Sequence, residues 1–191
     1  PEMRIKDAPK FKFRAMHICW FQETPATMIE RQLRLAAQLK FNYAVLETWG
    51  SFDSEKVPWY KWKNAVAKRD EIRRLCALAR DMGLTLIPQL NIFGHASGAR
   101  ACNGKHVALD TDYRYAPVFE PDGWMWCLSN PYATKTILEL VAEMHELFGN
   151  PPYFHIGCDE GGAPGCPKCR ARDWPETVGR HIANVSDFLK A

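Results

Sequence analysis

The feature that most constrains this chain is a regular alternation, in which short apolar runs are each followed by a longer stretch whose apolar residues recur at helical spacing. Residues 11–20 read as a strand, with Met16 and Ile18 toward one side. Thr24 and Pro25 mark a helix start, as N-cap and first-turn proline, and Met28, Ile29, Leu33, Ala36, Ala37 and Lys40 carry the helix to about Leu39. A second strand over residues 43–48 opens into Trp49-Gly50-Ser51-Phe52, which completes a βαβ unit. A loop to about Lys68, bearing Trp59, Tyr60 and Trp62, is longer than a plain connector needs to be. Residues 70–82 then give the clearest helix, with Ile72, Leu75, Cys76, Ala79 and Met82 on one stripe and Gly83 at the stop. A third strand over residues 84–92 ends in Phe93-Gly94-His95. Residues 96–126 hold no sustained period and read as a long loop over the carboxyl end of the sheet. Asn130-Pro131 starts another helix, closed by Gly149, before a fourth strand and a last helix over residues 175–189.

Strands alternating with helices imply a mostly parallel sheet with right-handed crossovers. Here the long loops follow strands and the short connections follow helices, which favours a (β/α)8 barrel of the TIM type with its working face at the strand ends. A complete barrel takes eight such units and about 250 residues. The 191 residues hold four units, so the expected α/β fold is a partial barrel, residues 1–191 forming one domain that is the amino-terminal half of a catalytic domain. Its open strand edges would be covered by further sequence, by another chain including a second copy, or by a rearranged sheet.

Chemistry is expected where Tyr153-Phe154-His155-Ile156-Gly157-Cys158 runs into Asp159-Glu160-Gly161-Gly162. This apolar run stops at two adjacent carboxylates and breaks into glycines, at the strand end where α/β folds keep their active groups. Neighbouring residues on a regular strand point to opposite faces, so both acids reach one pocket only if the strand bends or ends there. The flanking glycines make such a bend cheap.

Net charge is only +3, with basic residues interspersed among acids, which argues against a nucleic-acid partner. No apolar run approaches membrane-spanning length and the amino terminus lacks a basic-then-apolar signal, so no membrane partner is expected and the compartment stays open. Twelve per cent aromatic residues, including seven Trp, suit either a pocket that stacks on sugar rings or an aromatic core. Seven cysteines lack a disulfide-framework pattern, and Cys76 and Cys158 read as small buried hydrophobes. Cys166-Pro167-Lys168-Cys169 has the spacing of half a zinc site or of a local disulfide, but no second such pair exists to complete a site.

The strand-end motifs resemble glycoside hydrolase family 20, the β-N-acetylhexosaminidases, and look closest to the hexosaminidase D-like branch. Phe154-His155-Ile156-Gly157-Cys158-Asp159-Glu160 is similar to the family's H-x-G-x-D-E signature, and Leu86-Ile87-Pro88-Gln89-Leu90-Asn91-Ile92-Phe93-Gly94-His95 to its third-strand segment. Met16-His17-Ile18 and Asn42-Tyr43-Ala44-Val45-Leu46-Glu47 fit in order and spacing. The resemblance implies a retaining mechanism without cofactor or metal, in which the substrate supplies its own nucleophile. Glu160 would be the acid and base, Asp159 would hold the acetamido N–H, and an ionised Asp159 in a partly dry pocket would favour protonated Glu160. The partner implied is a glycan or glycoconjugate containing β-linked N-acetylhexosamine. Arg14 takes the position of a first-strand arginine that binds sugar hydroxyls, or is a surface residue; His95 and His155 line or support the pocket; Trp49 walls it or packs beneath it. Cys19 stands where many members carry aspartate, Thr48-Trp49-Gly50 replaces the second-strand acid region, and the family's aromatic cage comes from later strands. Two other readings fit the same residues: a metal-dependent hydrolase using His95, His155, Asp159 and Glu160, and a non-catalytic carbohydrate-binding half-barrel.

Overall fold

The computed structural model describes residues 7–62, 67–96 and 112–191. Three parallel strands form its sheet in the order β1 (Ala15–Cys19), β2 (Tyr43–Glu47) and β3 (Thr85–Gln89). Their register has no stagger: Ala15 lies opposite Tyr43, which lies opposite Thr85, and Cys19, Glu47 and Gln89 are level at the far end. All three strands therefore deliver their carboxyl ends to one rim.

The expected fourth strand is reduced to a single parallel bridge between Gln89 and His155. One rung is complete, since His155 N–H donates to the Pro88 carbonyl at 2.9 Å and Leu90 N–H to the His155 carbonyl at 3.1 Å. The next rung toward the amino terminus needs an N–H from residue 88, and a proline has none to give. In the other direction Ile92 N–H is shared by the carbonyls of Ile156 and Gly157, both at 3.0 Å, because Gly157 turns the chain with φ at +41°. The segment runs beside β3 as a barrel strand would, without a regular ladder.

The helices follow in the order of the strands. α1 (Ala26–Gln38) buries Ile29, Leu33 and Ala36, and α2 (Arg69–Asp81) buries Ile72, Leu75, Cys76 and Ala79, the stripes their spacing predicts. α1 starts one residue later than expected, with Pro25 as N-cap; the Thr24 side chain makes no cap, and its carbonyl accepts the Trp20 indole N–H at 2.9 Å. α3 (Pro131–Leu147) is capped by the Asn130 side chain, which accepts the Tyr132 N–H. A short α4 (Pro167–Arg170) and the longer α5 (Trp174–Lys190) complete the chain. α1 packs on α2, α2 on α3 and α3 on α5, so successive units coil the same way around the sheet. The core lies between helices and strands, where Ile18, Ala44, Leu46, Leu86, Leu33, Leu75, Ala79, Ile137 and Leu140 are buried. Each large aliphatic side chain removed from water there contributes about 1.5–3 kcal/mol before entropy is counted.

The two long loops are fixed from below. After β2 the chain is tied to α3 through the buried Glu143, whose carboxylate accepts Ser54 Oγ at 2.5 Å, Glu55 N–H at 2.8 Å and Lys56 N–H at 3.3 Å, and pairs with Arg69. Of the loop expected over residues 96–126, the part from 97 to 111 lies outside the described residues. The remainder forms a 3-10 helix (Tyr113–Val118) and a tight turn closed by an antiparallel bridge between Phe119 and Trp126. Trp20 and Trp126 are fully buried, and Trp59 stacks on Tyr115 at 4.3 Å, so much of the aromatic content is core.

Candidate active site

The acids sit where the bridge to β3 ends. Glu160 adopts φ of +52°, which turns the backbone out of extension and lets two consecutive side chains approach one point. That point is His95, itself at φ +51° just past β3. Its Nε2 lies 3.4 Å from Asp159 Oδ2 and 3.2 Å from Glu160 Oε2. The close approach of these two loops requires Gly94: a Cβ there would stand 2.1 Å from the Asp159 carbonyl oxygen.

Aromatic rings hold His95 in place. Trp49, at φ +40° after β2, meets it edge-on at 5.1 Å, and Trp124 lies against its other side at 4.3 Å. Trp124 also donates its indole N–H to the Glu160 carbonyl at 2.8 Å, which ties the acid-bearing turn to the loop over the strand ends. The His95 side chain is only 9 % exposed, whereas those of Asp159 and Glu160 are each 64 % exposed. A histidine fixed from behind thus presents two carboxylates on an open face.

A second polar network underlies the first. Glu47 at the end of β2 is 4 % exposed; its Oε1 accepts Asn91 Nδ2 at 2.6 Å and its Oε2 pairs with His17 Nε2 at 3.1 Å. Gln89 Nε2 donates to Asn91 Oδ1 at 3.0 Å. The hydrogen bond from Glu47 raises the pKa of His17, and burial followed by the His17 charge lowers that of His155, whose ring stacks on His17 at 6.3 Å. The Gly157 N–H donates to His155 Nδ1 at 3.3 Å, leaving Nε2 to carry the proton of the neutral ring.

The sequence-predicted residues therefore divide. Asp159, Glu160, His95 and Trp49 come together, whereas the His155 ring stacks on His17. The structure does not bring Arg14 together with these four. Arg14 precedes β1 at the opposite end of the sheet, five residue steps and roughly 16 Å from Cys19 at the rim, and its guanidinium is held there by the Lys40 and Phe11 carbonyls. The four residues of a metal-hydrolase centre do not converge, because the His155 imidazole is engaged by His17 and Gly157. β2 itself ends in a carboxylate, Glu47, which the sequence signals as an acid closing a buried apolar run. Nothing in their spacing marks Trp124 or Asn91, since loop closure brings them in.

Comparison with known proteins decides the family. The model of the glycosyl hydrolase family 20 catalytic domain matches residues 36–177, most of the chain, including both acids. The chain belongs to glycosyl hydrolase family 20. A β-hexosaminidase of Vibrio furnissii is 27% identical over 90% of this chain, which spans 33% of that protein. A lacto-N-biosidase of Bifidobacterium bifidum is 26% identical over 84% of this chain and 14% of its own length. In structure, 95% of the chain superimposes on 30% of the Flavobacterium johnsoniae chitobiase with a TM-score of 0.76 at 21% identity. The family 20 chain thus spans a third or less of these curated relatives, and its three-stranded parallel sheet is part of a TIM barrel. The matches bear on the family and not on its hexosaminidase D-like branch.

Proposed function

We propose that this chain carries the catalytic pair of a retaining, substrate-assisted glycosidase that removes β-linked N-acetylhexosamine from a glycan or glycoconjugate. Glu160 protonates the glycosidic oxygen as the bond to the anomeric carbon breaks, while the substrate's 2-acetamido oxygen attacks that carbon from the other face. The oxazolinium ion so formed is held by Asp159, whose carboxylate accepts the acetamido N–H and offsets the positive charge. Glu160, now ionised, takes a proton from water as it opens the ring, restoring acid and product. His95 positions both carboxylates, and Trp49 and Trp124 fix His95. The observation that carries this reading is the convergence of Asp159 and Glu160 on one buried imidazole at the rim of a family 20 domain.

The test is hydrolysis of an aryl N-acetyl-β-glucosaminide beside the matching aryl β-glucoside, by the protein and its Glu160→Gln variant. Only the acetamido substrate should turn over, with the variant slower by about 10²–10⁴-fold, the usual worth of a general acid and base. Equal turnover of both sugars would exclude assistance by the acetamido group.

A further inference from the structure

A second cluster of chemically active side chains lies behind the acid-bearing loop. Glu120, Cys127, Cys166 and Cys169 each bring one donor atom to a common point, all within 4.8 Å of one another. Cys127 Sγ and Cys169 Sγ are 3.8 Å apart, too far for a disulfide. That distance equals the edge of a tetrahedron whose sulfurs stand about 2.3 Å from a central zinc ion, roughly 3.8 Å. Glu120 is 2 % exposed; its Oε2 accepts the Cys166 N–H at 2.6 Å, and its Oε1 is buried with no partner among the described residues. No ion pair to Glu120 occurs among the described residues, so a buried carboxylate faces three sulfurs with no cation identified for it.

We propose that Glu120, Cys127, Cys166 and Cys169 form a structural zinc site, closed by four protein ligands. The ion joins the turn that carries Trp124 to α4, which follows the acid-bearing loop, so it staples the two loops that meet at Glu160. On binding, the thiols lose their protons to solvent and become thiolates, and the carboxylate adds the fourth ligand. The surroundings suit thiolates at one corner: the N–H groups of Cys169 and Lys168 hold Cys166 below the usual thiol range. Burial pushes Cys127 up to about 12, and it also raises Cys169, a bias that a divalent cation reverses. Ser129 Oγ lies 3.1 Å from Cys169 Sγ as an outer partner. A cleft lined by Phe119, Glu120, Cys127 and Cys166 gives the ion a way in.

Zinc content of the reduced, chelator-washed protein after incubation with zinc chloride tests this, together with the absorption spectrum after cobalt(II) chloride. One zinc per chain is expected, with a thiolate-to-cobalt charge-transfer band and the intense visible bands of a tetrahedral ion. Cys166 is partly exposed, so Cys166→Ser should fold; it should weaken zinc binding on the order of 100-fold or more, as should Glu120→Gln. Cys76→Ala, on α2 and outside the cluster, should keep the ion. Failure of the reduced protein to take up zinc, a cobalt spectrum without thiolate charge transfer, or unchanged affinity in both ligand variants would each overturn the assignment. A disulfide joining any two of Cys127, Cys166 and Cys169 in the freshly purified protein would also overturn it. The readout is metal, not turnover, so it stands or falls independently of the glycosidase reading.

Discussion

At the scale of single residues, the site depends on backbone positions that ordinary side chains resist. Trp49, His95 and Glu160 all occupy the left-handed region, and all three lie at the rim where β2, β3 and the bridge segment end. Strain of this kind, on the order of 1–3 kcal/mol each, persists where surrounding contacts over-determine it, and the rings of Trp49 and Trp124 about His95 supply such contacts. Gly94 permits the arrangement because the Asp159 carbonyl occupies the place a Cβ would need. Gly94→Ala must therefore push apart two backbones. The expected result is a loss of kcat on the acetamido substrate larger than any change in far-ultraviolet circular dichroism, which separates displacement of the acids from unfolding. Trp124→Phe keeps a ring beside His95 but deletes the hydrogen bond to the Glu160 carbonyl, and should lower kcat with little effect on KM.

At the scale of elements, the loops over the strand ends are held by polar groups buried beneath them. Glu143 on α3 accepts from Ser54 and from the backbone of Glu55 and Lys56, and pairs with Arg69 at the start of α2. One carboxylate thus joins the loop after β2 to two helices. Glu143→Ala leaves the Ser54, Glu55 and Lys56 donors without their acceptor and leaves the Arg69 guanidinium with the exposed Glu55 carboxylate alone, at 3.0 Å. Arg69 retains some water, with 23% of its side chain exposed, so the cost belongs at the low end of the range for breaking a buried pair, about 3 kcal/mol. Thermal unfolding should shift down by roughly 6–12 °C for a domain of this size. A shift under a degree would show that the loop is held by its apolar contacts alone.

At the scale of the whole molecule, the last helix is docked through a titratable group. His181 on α5 is 7 % exposed and donates from Nε2 to the Ile92 carbonyl, just past β3. Burial holds its pKa below the ordinary value of 6.5. The folded state therefore binds fewer protons here than the unfolded one, and the stability that the neutral ring contributes is fully present above pH 6.5 and is lost as the pH falls through the folded value. His17 works the other way, because Glu47 raises its pKa: its contribution is present below 6.5 and fades as the pH rises. Between pH 7.5 and 5.5 the contributions of His181 and of His155, whose pKa burial also lowers, are lost while that of His17 is gained, and melting temperatures across this range separate them. His181→Gln should start lower than the wild type but lose less on acidification; an unchanged pH profile in that variant would assign the acid sensitivity elsewhere.

The sequence by itself determined what local periodicity and strand-end chemistry can encode. Apolar spacing gave α1, α2, α3 and α5 to within a residue or two, and the run into Asp159-Glu160 marked the acids because a buried strand can afford two carboxylates only where it ends. Only the tertiary structure decided which end of a strand a residue serves. Arg14 lies just before β1 and His17 three positions on, within it, yet the first bonds the Lys40 and Phe11 carbonyls below the sheet and the second joins Glu47, a distinction set by the level register of β1 and β2. Only the fold could show that Glu120 and Cys127, distant along the chain from Cys166 and Cys169, meet them at one point. Linear spacing registers ligands on the same turn, whereas ligands on two loops become neighbours only after the helices and sheet beneath have brought those loops together.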